Sequence, residues 1–217
     1  MKDNFWSPVI LSLQTASVAL PVVFVLGIIT ARIMARRNFK GKVIIETILL
    51  LPLVLPPTVV GFLLIIFFGG NSIVGKGIEA LSGAPVMFTW SAAVIASSVV
   101  AFPLMYQSAK TGFSSVDKGA EEAAKVDGAS ELKTFLYITL PLSARALVAG
   151  VVLSFARALG EFGATLMFAG NLPGKTQTIP TAIYIAFESG NMDTAWLWVT
   201  VMIAISFVML FAANLLK

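Results

Sequence analysis

The sequence predicts an all-α membrane protein with about five transmembrane helices, folded as a single domain over residues 1–217. Three observations carry this. Hydrophobic residues make up 58% of the chain and charged residues only 12%, whereas a soluble domain is about half apolar and about a quarter charged. Mean hydropathy is +0.91, and the excess lies in a few long runs. Those runs show no two-residue alternation, so helices are the only way across a bilayer. Water-soluble enzyme classes are thereby excluded. The absence of Cys and His removes disulfides, thiolate metal sites, His-based triads and the usual proton shuttle.

The first run, Val9–Ile33, exceeds the roughly 20 residues needed to cross a hydrocarbon core. A cleaved signal peptide is the alternative, but the run is too long and the basic cluster follows it. The second, Ile44–Phe68, contains Pro52, Pro56 and Pro57. Each removes a backbone donor and crowds the preceding turn, so this span must bend or break. Pro56, Pro57, Thr58 and Gly61 then form a hinge or gate beside a pathway, or else a static kink that aids packing. The third run, Trp90–Tyr106, is the shortest. Ala146–Phe168 and Ala195–Leu216 complete the set.

Loop charges set the direction. Arg32, Arg36, Arg37, Lys40 and Lys42 fall between the first two spans, and Lys110, Lys118, Lys125, Lys133 and Arg145 between the third and fourth, with Lys217 at the end. The opposite side has Lys2, Lys76 and Lys175. Basic residues accumulate on the cytoplasmic side, which puts the N-terminus outside and the C-terminus inside. The net charge of +4 therefore follows membrane edges and forms no patch for nucleic acid.

The cytoplasmic segment of about 111–141 is too long for a simple connector. It reads as two short helices with a break. Ser115 or Asp117 can cap the first, over Ser115–Asp127. Glu121 and Lys125 are spaced as an i,i+4 pair, and Ala120, Ala123 and Ala124 make one face small. Gly128 suits the left-handed stop, and Ser130 can cap the next turn. Leu132, Phe135 and Leu136 follow as an amphipathic face, and Pro141 ends the run. A small face, a turn and an apolar helix suit docking of another protein; helices lying on lipid headgroups fit the same pattern.

At these residues the chain resembles the permeases of ATP-binding-cassette importers. Their EAA motif runs Glu-Ala-Ala, three residues, Gly, nine residues, Ile-x-Leu-Pro, and is matched here by Glu122-Ala123-Ala124, Gly128 and Ile138-Thr139-Leu140-Pro141. The segments 49–57, 155–164 and 171–180 further resemble molybdate permease subunits; sulfate permeases share the proline run and Gly160-Glu161-Phe162-Gly163. The resemblance implies a type I importer permease fold. It also implies a coupling loop gripped by two cytosolic ATPase subunits through Glu122, Ala123, Ala124, Gly128, Leu132, Phe135, Leu140 and Pro141. An extracytoplasmic oxyanion-binding protein is the other implied partner. Some family members carry a further N-terminal span that this sequence does not show.

Arg157 and Glu161, four residues apart in the fourth span, can pair on one helix face. Charges at this depth are costly and face a bundle interior or wet cavity. They line the path of an oxyanion, with Glu161 cancelling most of the attraction of Arg157, or they form a structural ion pair. One paired arginine is a poor basis for tight capture of a dianion, which assigns affinity to a separate receptor.

Residues 169–176 imitate a phosphate loop, but they follow a membrane helix and contain Pro173. The chain is therefore expected not to be an enzyme, and to need no cofactor or metal. Thr178–Asn191, with Pro180, Tyr184 and Phe187, is expected to form a short helix at the outer surface. One copy has too few helices to enclose a path, so a homodimer in the cell's inner membrane is expected. Molybdate is the expected cargo, with tungstate or sulfate as alternatives. A secondary transporter using Arg157 and Glu161 as its coupling pair is the rival class.

Overall fold

The computed structural model describes residues 2–215; Leu216 and Lys217, which the sequence reading used for the end of the last span and for the charge asymmetry, lie outside the described residues. The elements are α1 (Lys2–Arg36), α2 (Lys42–Val54), α3 (Pro57–Phe68), α4 (Ile73–Ser82), α5 (Trp90–Ser115), α6 (Lys118–Val126), α7 (Glu131–Thr134), a π-turn over Phe135–Thr139, α8 (Leu140–Leu142), α9 (Ala144–Leu159), α10 (Gly163–Ala169), α11 (Ile179–Glu188) and α12 (Met192–Leu215). Among the described residues, three helices are long and apolar enough to cross a membrane, or up to five if each bent pair counts as one span.

Helix α5 is the axis of the packing. Its C-terminal half, with Ala101, Met105, Tyr106, Ala109 and Phe113, is buried against Ala16, Ala19, Val23 and Ala31 of α1 and Leu147 and Ala158 of α9. Its other half, with Ala92, Ala93, Ala96 and Val100, packs on Val60 and Leu64 of α3 and Ala164 and Phe168 of α10. Alanine dominates because lipid tails are as apolar as leucine. Helices in a bilayer gain by close van der Waals approach, and small side chains allow it. Helix α12 by contrast exposes Trp196, Leu197, Ile203, Phe207 and Phe211, an outward face suited to lipid.

The two ends of the bundle differ. All four tryptophans lie at helix N-termini: Trp6 on α1, Trp90 on α5, and Trp196 and Trp198 on α12. Trp198 donates to Phe5 O at 3.0 Å and stacks on the Phe5 ring, while Trp90 donates to Thr15 at 3.0 Å. Arg32 and Arg36 mark the other end of α1. Amphipathic aromatics at one edge and arginines at the other match a membrane frame.

Two expected spans are interrupted. The run Ile44–Phe68 is two helices, α2 and α3, turned by 116°. Leu55 and Pro56 are extended, with ψ of 141° and 137°, because a following proline drives the preceding residue out of the α region. Pro57 then opens α3 at a position where a missing N–H costs nothing. The run Ala146–Phe168 is likewise not one helix. Helix α9 stops at Leu159, and α10 restarts at Gly163 after Phe162 takes φ −127° and ψ −62°. Helix α1 instead outruns its expected Val9–Ile33 at both ends, carrying Arg36 beyond the apolar stretch.

Candidate functional site

The loop between α5 and α9 has the local chemistry its sequence encodes. Asp117 caps α6 by accepting the Gly119 N–H at 3.0 Å. At the other end Gly128 takes φ +87°. The Gly128 N–H donates to Lys125 O at 3.0 Å and the Ala129 N–H to Ala124 O at 2.9 Å, the paired bonds of a Schellman stop. Ser130 caps α7, accepting from Lys133 N at 3.4 Å.

The side chains depart from expectation in two places. Glu121 does not pair with Lys125. It is buried, 5% exposed, and accepts from Arg36, from Arg32 at 3.4 Å, and from the Thr139 hydroxyl. Lys125 turns instead to Glu131. That hydrogen bond, ahead of the charges of Lys125, Arg36 and Arg32, holds the Glu131 carboxyl below the ordinary carboxylate range. Phe135, grouped with Leu132 and Leu136 by helical spacing, points inward. Its ring meets Phe113 edge-on at 5.5 Å and carries the Arg32 guanidinium 4.8 Å above its centroid. Phe135 falls at the edge of that face, next to the buried Thr134, where Arg32 of α1 and Phe113 of α5 cover its ring. A π-turn follows, closed by the Leu140 N–H donating to Phe135 O, five residues back. Leu140 is half-buried against the core and Pro141 is exposed.

What the loop presents outward is Glu122 and Ala123, with Val126 at 87%, Leu132 at 65%, Leu136 at 44% and Tyr137 at 74% exposed. A carboxylate, a small side chain and four large apolar or aromatic side chains thus lie exposed along this segment. Val126 and Tyr137 join this exposed set beyond the residues the sequence marks: Val126 stands between Lys125 and Asp127, and Tyr137 follows Phe135 and Leu136 in an apolar run.

Inside the bundle, the two helix breaks meet. A side chain at Gly163 would lie 2.8 Å from Pro57 Cβ, and one at Gly61 would lie 2.7 Å from Met167 Cβ and 3.1 Å from Ala164 Cα. Only glycine lets α3 and α10 approach this closely. Glu161 sits in the break, 2% exposed. One carboxylate oxygen takes Arg157 Nη1 at 2.5 Å, and the other takes the Ala164 N–H at 2.7 Å, capping α10. The i,i+4 pair therefore forms, but Glu161 lies past the end of α9 rather than on a shared helix face. Pro56, Pro57 and Thr58 are exposed at the mouth of α3. The residues expected along a pathway, from two separate spans, thus converge on the α3–α10 contact. The Phe162 ring lies 5.2 Å from that of Tyr184 on α11.

A third polar cluster escaped the sequence reading. Lys110 lies within α5 and pairs with Glu46 of α2 at 2.7 Å, while the buried Tyr106 hydroxyl donates to the same carboxylate at 3.4 Å. Residues 169–176 follow a helix, and the Thr176 hydroxyl is engaged with Gly170 O at 3.2 Å and Leu172 N at 3.0 Å.

Comparison with known proteins gives a consistent picture. The chain is 59% identical over 209 residues to the putative molybdenum transport system permease protein YvgM of Bacillus subtilis (strain 168), covering 96% of this chain and 92% of that protein. It is 41% identical to the molybdenum transport system permease protein ModB of Escherichia coli (strain K12), covering 87% and 82%. Identity falls to 32% with the sulfate transport system permease protein CysT of Salmonella typhimurium (strain LT2), over 89% and 69%. Among solved structures, a bacterial ABC transporter involved in alginate import superposes with a TM-score of 0.78 at 20% identity, over 100% of this chain and 79% of that one, which speaks to the fold. Residues 23–217 match the family described as the binding-protein-dependent transport system inner membrane component, and the chain belongs to that family.

Proposed function

We propose that this chain is the permease subunit of an ATP-driven importer and forms the translocation path for molybdate. The observation that carries the proposal is the outward face of residues 122–137, set on a Schellman turn and held by ion pairs to the buried Glu121, in a chain 59% identical to a protein named for molybdenum transport. Two copies enclose the path, because the exposed residues at the α3 mouth need a second wall. Two cytosolic ATPase subunits grip the two loops, and an extracytoplasmic oxyanion-binding protein delivers the cargo. The N-terminus faces outward, as the positive-inside asymmetry of the Lys and Arg residues supports.

In this scheme, closure of the ATPase subunits moves the loops and switches the bundle from inward- to outward-facing. The receptor then delivers the oxyanion, and hydrolysis resets the inward state. Arg157, largely neutralised by Glu161, lets the anion pass without holding it. Tungstate shares the size and charge of molybdate, and the receptor decides between them.

The chain has no Cys, so a single introduced cysteine reports without background. A cysteine replacing Leu136 should crosslink to the ATPase subunit in native membranes. Crosslinking of that position to lipid alone contradicts the docking role.

A further inference from the structure

Of the five acidic residues between Lys110 and Pro141, only Glu121 is buried. Burying a carboxylate is costly unless it is paired and hydrogen-bonded. Here three donors from two other elements converge on it: Arg36 and Arg32 from α1 and the Thr139 hydroxyl from the π-turn. A second layer surrounds them. Arg32 reaches Glu131 at 3.8 Å and lies over Phe135, and Glu131 also holds Lys125.

The covalent joints of the loop are weak by comparison. It leaves α5 through Val116 and Asp117, both extended, with ψ of 131° and 125°. It enters α9 at Ser143, where the helix axis turns by 73°. A two-residue extended link and a bend are places where a pushed helix pivots. The Glu121 cluster bridges both arms of the loop to the cytoplasmic end of α1.

From this we infer that Glu121 is a positioning residue that locks α6 and the following helix to α1, so that force on the loop moves α1 rather than flexing the links. The inference rests on the proposed ATPase docking. Helix α1 packs along α5 and α9 through the main core, so a displacement entering at Glu121 reaches the centre of the bundle without passing through Val116 and Asp117. Glu122, one residue on and exposed, faces the partner; Glu121 faces the chain itself. The two adjacent glutamates thus divide the work of gripping and transmitting.

The test uses the whole transporter, with its ATPase and receptor, in proteoliposomes. Spin labels replace the exposed Ile33 on α1 and Lys118 on α6. Their separation should stay constant between nucleotide-free and ATP-bound states, while Glu121→Gln broadens or shifts it. The same variant should retain ATP hydrolysis yet lose several-fold in molybdate moved per ATP, with Glu121→Asp recovering part of the loss. A label separation that changes by several ångströms on ATP binding in the otherwise native, transporting protein overturns the inference and leaves the docking intact. Normal transport per ATP in Glu121→Gln also overturns it. Uptake that needs no ATPase overturns the docking, and the inference with it. If Glu121→Gln fails to fold, the native-background labels still decide.

Discussion

Glu161 holds Arg157 at 2.5 Å with one carboxylate oxygen while its other oxygen caps the helix that restarts at Gly163. One buried side chain thus neutralises the intramembrane cation and fixes the geometry of the break. The two partners are not equivalent: the Arg157 side chain is 28% exposed and that of Glu161 only 1%. Loss of one partner of a buried pair leaves the other uncompensated, and the cost is greater for the one that cannot reach water. Arg157→Gln is therefore expected to destabilise the protein by about 3 kcal/mol and Glu161→Gln by about 1–2 kcal/mol. Thermal unfolding of the detergent-solubilised variants gives the ranking, and the reverse order contradicts it.

The α3–α10 contact depends on Gly61. The atoms facing it include the Ala164 backbone, which cannot rotate away. Gly61→Val should cost about 1–3 kcal/mol as overpacking and reduce uptake by forcing the two half-helices apart. Gly77→Ala is the control: it lies in α4 with nothing within 4 Å of the added carbon, and it should be neutral or slightly stabilising. Unfolding midpoints and uptake rates check both.

Gly128 tests the loop as a lever. At φ +87° with no atom within 4 Å of an added Cβ, the cost of a side chain is purely a backbone one. Gly128→Val should leave the spans inserted but abolish uptake, whereas Gly128→Asn, which tolerates the left-handed region, should keep a substantial part. Membrane fractionation alongside uptake measures this. Normal transport by the valine variant counts against the lever.

Helix α2 buries none of its own residues, and its polar tie to the body is Glu46 on Lys110 and Tyr106. A double-mutant cycle with Glu46→Gln and Lys110→Gln should give a coupling energy of about 1 kcal/mol. The singles should both alter the response of the Pro56 break to ATP. A coupling energy near zero removes the tie.

Much of this site was legible from sequence because its signals are local. Asp117, Gly128 and Ser130 act as caps and stops through bonds to their own neighbours, and the prolines at 56 and 57 break a helix by their own chemistry. The failures share a different cause. The i,i+4 rule pairs Glu121 with Lys125, but arginines from the distant end of α1 win because the site is buried and their attraction is less screened. Helical spacing groups Phe135 with Leu132, but Phe113 and Arg32, distant in sequence, cover its ring and turn it inward. The break at 160–162 hides from a hydropathy average because the apolar helices on either side outweigh one glutamate; Gly160 and Gly163 flanking Glu161 are the available cue. Helix α4 carries a cap at Ser72 and a stop at Gly83, signals that a search for long apolar runs passes over.

On the proposed mechanism this membrane chain moves an oxyanion only when an engine outside the bilayer drives it. Molybdate uptake into sealed proteoliposomes tests that most directly, with the purified permease alone, with the ATPase subunit, and with the ATPase and receptor together. Uptake should appear only in the complete mixture and only with ATP. Uptake by the permease alone, driven by an imposed ion gradient, contradicts the account.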